Sequence, residues 1–224
     1  EITSLGRRGK YLLLGLDNGA TVVVHFRMTG SLIYYPEARA GGKHTHVVIS
    51  LDRGQLHYTD QRKFGRLQFV PAGELPALTC LNKLGPDPTS EDFTLEAFAG
   101  RLNGKKTAIK AALLDQTVLC GLGNIYADEA LFRAGLLPGR ASGELKLSEL
   151  IILYDAVRLT LEQGIAAGGT TFRDYRDADG NTGSFQHSLR VYGRGGLPCP
   201  VCGRALSKTK VGGRSSVYCA DCQH

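Results

Sequence analysis

Cys199, Cys202, Cys219 and Cys222 carry the most specific chemistry in this chain: two C-x-x-C pairs separated by sixteen residues. That spacing fits one tetrahedral Zn²⁺, with each pair supplying two thiolates from a tight turn. Four sulfurs close the coordination sphere, so the expected ion is structural and takes no part in catalysis. From Arg190 onward the segment holds six Lys or Arg residues against one acid, Asp221. A metal-pinned hairpin of that charge suits phosphate. Arg214, in Gly212-Gly213-Arg214-Ser215-Ser216 at the expected hairpin tip, is its candidate contact.

Five further places could bind phosphate or base, and each has a plainer alternative. Gly121-Leu122-Gly123-Asn124 breaks a helical pattern, and Asn124 reads as the cap of the next helix. Free N–H groups at such an end attract phosphate, although an ordinary helical corner reads the same way. His25-Phe26-Arg27-Met28-Thr29-Gly30 follows a strand; Met28 is either core or an exposed wedge of the kind that separates stacked bases. Asp60-Gln61-Arg62-Lys63-Phe64-Gly65-Arg66 sets Phe64 among cations, which suits base stacking or a basic β-turn with a half-buried ring. Lys10, among Arg7, Arg8 and Gly9, precedes what reads as the first strand and reads alternatively as a charged strand entry. Lys110 falls on the polar stripe of a helix and reads alternatively as a solvated charge. Phosphate-binding features at separated places, together with two wedge-like loops, suggest a protein that bends DNA and extrudes a nucleotide.

The elements that must position these residues follow from pattern. With 224 residues and a net charge of +6, the chain has the length for one large domain or two smaller ones and a bias toward a polyanion. Cysteines at zinc spacing, with Cys80 and Cys120 alone, favour a reducing cytosol, and no apolar run reaches membrane length. Residues 11–16, 21–26, 31–35, 46–51, 55–58 and 66–70 read as short strands of an antiparallel sandwich or barrel, separated by turn signals. A proline-rich linker follows. Helices are expected over 94–102 with a Thr94 cap, 106–119, 125–134, and 148–167 with a Ser148 cap. Residues 169–189 read as a long polar loop, of a length usually either functional or disordered.

The motifs R-R-G-K-Y-L-L (7–13), H-F-R-M-T-G (25–30), D-Q-R-K-F-G-R (60–66), L-G-P-D-P (84–88), K-K-T-A-I-K (105–110), G-L-G-N-I-Y-A-D-E-A-L-F (121–132), G-G-T-T-F-R-D-Y (168–175) and the cysteine ribbon together span almost the whole chain. They closely resemble bacterial formamidopyrimidine-DNA glycosylases, which remove 8-oxoguanine and cleave abasic sites. The resemblance implies an α+β multidomain fold: an N-terminal antiparallel β-sandwich (1–75), a helix–two-turn–helix domain with a lesion-recognition loop (90–189) and a C-terminal zinc-ribbon hairpin (190–224). It implies a monomer acting on double-stranded DNA with oxidised purines or abasic sites, bound between the domains, in a bacterial cytoplasm at the nucleoid. It assigns Met28, Arg62 and Phe64 to the gap left by the everted base. Asn124 and Arg214 fall to phosphates, and His25 and Lys110 to other DNA contacts. Lys10 belongs to the catalytic set, while Glu129, Thr170, Thr171 and Tyr175 fall to the lesion pocket.

Family catalysis depends on an N-terminal Pro-Glu-Leu-Pro-Glu, whose proline amine attacks the sugar C1′ and enables β,δ-elimination. An α-amino group suits that covalent step because it is deprotonated near neutral pH more readily than lysine. The chain opens at Glu1, so an N-terminal segment, including the first helix and part of the sandwich, is expected to precede it, and the chain alone is expected to lack lyase activity. Two alternatives are an endonuclease VIII-like glycosylase for oxidised pyrimidines and a non-catalytic zinc-ribbon DNA-binding protein.

Overall fold

The structure is a computed structural model describing residues 1–172 and 175–224; Arg173 and Asp174, inside the G-G-T-T-F-R-D-Y motif, lie outside the described residues. The chain forms two compact units, one of Glu1–Asn82 with Gly164–His187, the other of Lys83–Gln163 with Ser188–His224. The long loop therefore groups with the strands, whereas its sequence position attached it to the helical region. A backbone contact accounts for this: the Tyr34 N–H donates to the Ala178 carbonyl at 2.9 Å.

Seven strands form the first unit: β1 (Ile2–Arg8), β2 (Tyr11–Leu16), β3 (Thr21–His25), β4 (Gly30–Tyr35), β5 (Thr45–Ser50), β6 (Gln55–Asp60) and β7 (Arg66–Val70). They build two antiparallel sheets, ordered β1-β2-β3-β7 and β4-β6-β5. Leu14 and Val24 from the first sheet pack against Tyr58 and Leu32 from the second, as the alternation of apolar residues requires. Strand β1 is not among the expected strands. Its side chains are mostly exposed and Gly6 interrupts its pattern, so only its pairing with β2 reveals it. A single helical turn, α1 (Thr79–Asn82), closes this segment.

The second unit holds α2 (Leu95–Leu102), α3 (Ile109–Leu114), α4 (Asn124–Arg133) and most of α5 (Leu147–Ala166), then the hairpin β8 (Ser207–Val211) and β9 (Arg214–Tyr218). Phe98, Leu102, Ile109, Leu113, Leu119, Leu122, Leu131, Leu153 and Val157 share one dry core. Thr94 caps α2 as expected, accepting from the Ala97 N–H at 3.2 Å.

Three helix boundaries differ from expectation. Helix α3 is six residues long, not fourteen: the Asp115 carboxylate takes the Thr117 N–H and hydroxyl at 2.9 and 2.8 Å and stabilises a turn there. Helix α5 starts at Leu147 without a Ser148 cap; the Glu149 carboxylate instead reaches back to the Lys146 N–H at 2.8 Å. Gly123, not Asn124, caps α4.

Candidate nucleic-acid interface and metal centre

Three turns meet at one end of the first sheet. Arg8 pairs with Tyr11 across the turn that carries Lys10, Tyr11 pairs with His25, and His25 pairs with Arg66. Residues 26–29 then cross from β3 to β4 and residues 61–65 from β6 to β7, while Gly30 pairs with Asp60 in the second sheet. The Met28 and Phe64 turns are thus neighbours by strand register, and Lys10 lies at the same edge.

Both apolar tips face outward. Met28 is 66% exposed, which excludes its core reading, and the Phe64 ring is half-exposed at 53%. The Arg62 guanidinium lies over the Phe64 ring, 4.6 Å from its centre. Arg27 (φ 55°) and Lys63 (φ 57°) adopt left-handed backbone, and they are the non-glycine residues that do so among those described. That conformation costs on the order of 1–3 kcal/mol each and persists only where surrounding contacts enforce it.

Burial, reinforced by Arg27, Lys10 and Arg66, pushes the His25 imidazole down to about 4. It is therefore neutral at pH 7 within a cationic neighbourhood. Its Nδ1 accepts the Arg27 N–H at 3.0 Å, which leaves the proton on Nε2 as a donor.

In the long loop, the Thr171 N–H donates to Gln186 Oε1 at 3.0 Å and the Thr171 hydroxyl to the Tyr175 carbonyl at 3.2 Å. The Tyr175 ring lies against Gly169, where a Cβ would approach its Cε1 to 2.8 Å. Thr170 precedes this network.

In the second unit, the cysteine ribbon forms as its spacing dictates. The four Sγ atoms lie within 4.8 Å of one another, with Cys199–Cys222 at 3.9 Å and Cys202–Cys219 at 3.4 Å. Tetrahedral Zn–S bonds of about 2.3 Å place sulfurs about 3.8 Å apart, so the donor set fits Zn²⁺ in both number and reach. Gln223, 1% exposed, ties the second knuckle to the helices: its Oε1 accepts the Cys219 N–H at 2.8 Å and its Nε2 donates to the Leu136 carbonyl at 2.7 Å. The cysteine spacing alone does not mark Gln223, which closes the ribbon motif, for this role.

Gly212 and Gly213 turn the hairpin with φ of 56° and 75°, the two left-handed positions that a tight two-residue hairpin needs. Arg214 opens β9, exposed, opposite Val211. Asn124 is the first residue of α4, and its Nδ2 donates to the Ser215 carbonyl at 3.2 Å, so Asn124 and Arg214 are brought together.

One expected DNA-contact residue, Lys110, is buried. The Lys110 side chain is 0% exposed; its Nζ bonds Asp128 Oδ1 at 2.7 Å and the Ser215 carbonyl at 2.5 Å. Asp128 in turn accepts the Ser216 hydroxyl at 2.7 Å and the Val217 N–H at 3.2 Å. Lys110 thus fixes β9 against α3 and α4 and does not present its charge to solvent. Burial pushes the Lys110 ammonium down and the Asp128 carboxyl up, each against the pull of the other.

Glu129, expected beside a lesion pocket, is buried. Its two oxygens accept the backbone N–H groups of Arg190, Val191 and Tyr192 at 2.8–2.9 Å, which anchors the entry to the zinc module.

Three known families match successive parts of the chain. Residues 1–67 match the formamidopyrimidine-DNA glycosylase N-terminal domain, 84–176 its H2TH domain, and 196–224 a zinc finger found in FPG and IleRS. A formamidopyrimidine-DNA glycosylase of Desulfitobacterium hafniense is 52% identical over 223 residues, covering 100% of this chain and 82% of the relative. Among solved structures, the Thermus thermophilus protein superimposes with a TM-score of 0.91 at 42% identity, covering 100% of this chain and 83% of that one. The Lactococcus lactis protein in complex with abasic-site DNA gives a TM-score of 0.92 at 36% identity, with 100% and 82% covered.

Proposed function

This chain belongs to the formamidopyrimidine-DNA glycosylase family, and on that premise we propose how its own residues divide the work of excising a damaged base. Its activity is that of a DNA glycosylase with abasic-site lyase action in base-excision repair, on double-stranded DNA carrying oxidised purines. It holds one structural zinc and works in the bacterial cytoplasm; nucleoid association and action as a monomer belong to the proposal.

The observation that carries the residue assignment is the pair of exposed apolar tips, Met28 and Phe64, on adjacent turns at a cation-rich edge. Extruding a nucleotide costs a few kcal/mol of lost stacking. An aromatic ring stacked on a base returns about 1–3 kcal/mol, so Phe64, braced by Arg62, offsets much of that cost while Met28 fills the vacated space. His25 donates from Nε2 and Lys10 contributes charge at the same edge. Thr170, Thr171 and Tyr175 contribute the polar loop that receives the extruded base.

Asn124 and Arg214 hold backbone phosphate at the start of α4 and the hairpin tip. Zinc supplies rigidity there and no chemistry, because four thiolates leave no open position. The group proposed to attack the sugar is the N-terminal proline amine that the family resemblance implies.

The test is equilibrium binding by fluorescence anisotropy to a duplex with a tetrahydrofuran abasic-site analogue and to the undamaged duplex. At least about tenfold tighter binding to the damaged duplex is expected, a difference of about 1.4 kcal/mol; equal affinities would sink the assignment. Arg214→Ala should weaken both complexes and reduce the slope of log K against log salt by about 0.9, one phosphate contact. An unchanged slope would show that Arg214 does not meet phosphate.

A further inference from the structure

Asp60 ends β6 with 1% of its surface exposed, and an ionised carboxylate there is costly unless it is fully hydrogen-bonded. Its partners come from both interface turns. Oδ1 accepts the Thr29 hydroxyl at 2.5 Å and the Arg62 N–H at 3.2 Å; Oδ2 accepts the Gly65 N–H at 2.7 Å and the Tyr58 hydroxyl at 3.4 Å. The Arg62 N–H also reaches Thr29 Oγ1 at 3.2 Å, so the two turns share one network. Gly65 is required for this closeness: a Cβ there would fall 1.8 Å from the Tyr58 hydroxyl and 3.1 Å from Asp60 Oδ2.

Burial pushes the Asp60 carboxyl up, but the bonds from Thr29 and from the Gly65, Arg62 and Phe64 amides outweigh it, and the net direction is down. The group is an anion at neutral pH with its oxygens turned inward. Its bonds therefore act on the turns and not on a ligand. The left-handed residues Arg27 and Lys63 flank these same contacts.

We propose that Asp60 is a positioning residue that joins the Met28 turn to the Arg62–Phe64 turn, so that both side chains enter the duplex as one rigid element. The proposal rests on the reading that these turns contact DNA, and it adds a coupling that neither turn provides alone. A loosened Met28 turn would leave Phe64 to offset the unstacking alone, and the reverse holds for a loosened Phe64 turn.

The experiment is a set of double-mutant cycles on the chain, measured as binding to the tetrahydrofuran duplex with 2-aminopurine opposite the analogue, whose fluorescence reports local unstacking. Asp60→Asn should lose about tenfold in affinity for this duplex while changing affinity for the undamaged duplex less than about twofold. Combined with Met28→Ala or Phe64→Ala, it should add less than about threefold, because the wedge is already disabled. A role confined to folding would instead weaken both duplexes alike.

Thr29→Val, a milder change should Asp60→Asn fold poorly, should reproduce the selective loss, and Thr29→Ser should restore it. Independent, multiplicative losses in the cycles, or selectivity that survives both Asp60→Asn and Thr29→Val, would overturn the coupling alone. A wild-type chain that does not discriminate between the duplexes would overturn the functional reading and this proposal with it.

Discussion

Lys110→Met is expected to destabilise the second unit by about 3–5 kcal/mol, because it leaves Asp128 as an uncompensated carboxylate in a site closed to water. The Ser215 carbonyl loses a partner in the same change. Burial already pushes the Asp128 carboxyl up with the ammonium present, and removing the ammonium pushes it further. A carboxyl raised in the fold opposes folding increasingly as the pH rises above its unfolded pKa, and fully above its folded pKa. The deficit of the variant should therefore be largest at neutral and alkaline pH and should shrink as the pH falls and Asp128 takes up a proton.

The double variant Lys110→Met with Asp128→Leu should recover part of the lost stability, since an apolar pair is often neutral in place of a buried ion pair. It should not recover DNA affinity, because Ser215, Ser216 and Val217 lose the contacts that hold β9 beside α4. Urea unfolding followed by circular dichroism, with anisotropy for binding, checks both. A Lys110→Met cost below about 1 kcal/mol would mean the ammonium is not the group that keeps Asp128 in place.

Removal of zinc is expected to have the other large effect. Structural zinc sites in small modules carry apparent binding free energies of about 10–16 kcal/mol, and most of that is folding energy of the module. The apolar cluster under the ribbon is small: Phe132, Val191, Leu206 and Val217, with the cysteines themselves. It cannot hold the hairpin once the thiolates repel or oxidise. Cys219→Ala, or chelation of the native protein, should release about one Zn²⁺ per chain and unfold the region from about residue 190 onward, abolishing tight DNA binding. The main helical core around Phe98, Leu113 and Leu131 should keep its own cooperative transition, because it shares no side chain with the ribbon cluster. Metal analysis by mass spectrometry, with circular dichroism, measures both outcomes. A chain that keeps its hairpin and its affinity without metal would contradict the structural role of the ion.

What could be seen in the sequence was whatever depended on near neighbours. The cysteine knuckles, the Gly212-Gly213 turn and the Thr94 cap are set by residues a few positions apart, and each formed as spacing required. Strand β1 escaped because its signal lies in pairing with Leu12–Leu16, not in its own alternation. The overrun of α3 has a local cause that was missed, the Asp115 side chain competing for backbone N–H groups.

Lys110 was misjudged for a different reason: a lysine on a polar stripe looks solvated until its partner, eighteen residues on, is folded over it. The anchoring role of Glu129 was hidden in the same way, its three partners lying beyond position 189. Met28 and Phe64 could be flagged in advance, but their adjacency needed the pairing of His25 with Arg66. Long-range hydrogen bonds from buried charged groups were therefore the principal information that the pattern of residue types did not carry.

The central claim, excision of oxidised purines by this family's chemistry, is tested most directly by borohydride trapping. The protein carrying the family's Pro-Glu-Leu-Pro-Glu N-terminus is incubated with duplexes containing 8-oxoguanine or thymine glycol. A covalent protein–DNA adduct, strand cleavage and clear preference for 8-oxoguanine are expected. Absence of an adduct on the 8-oxoguanine duplex, or stronger trapping on thymine glycol, would contradict it.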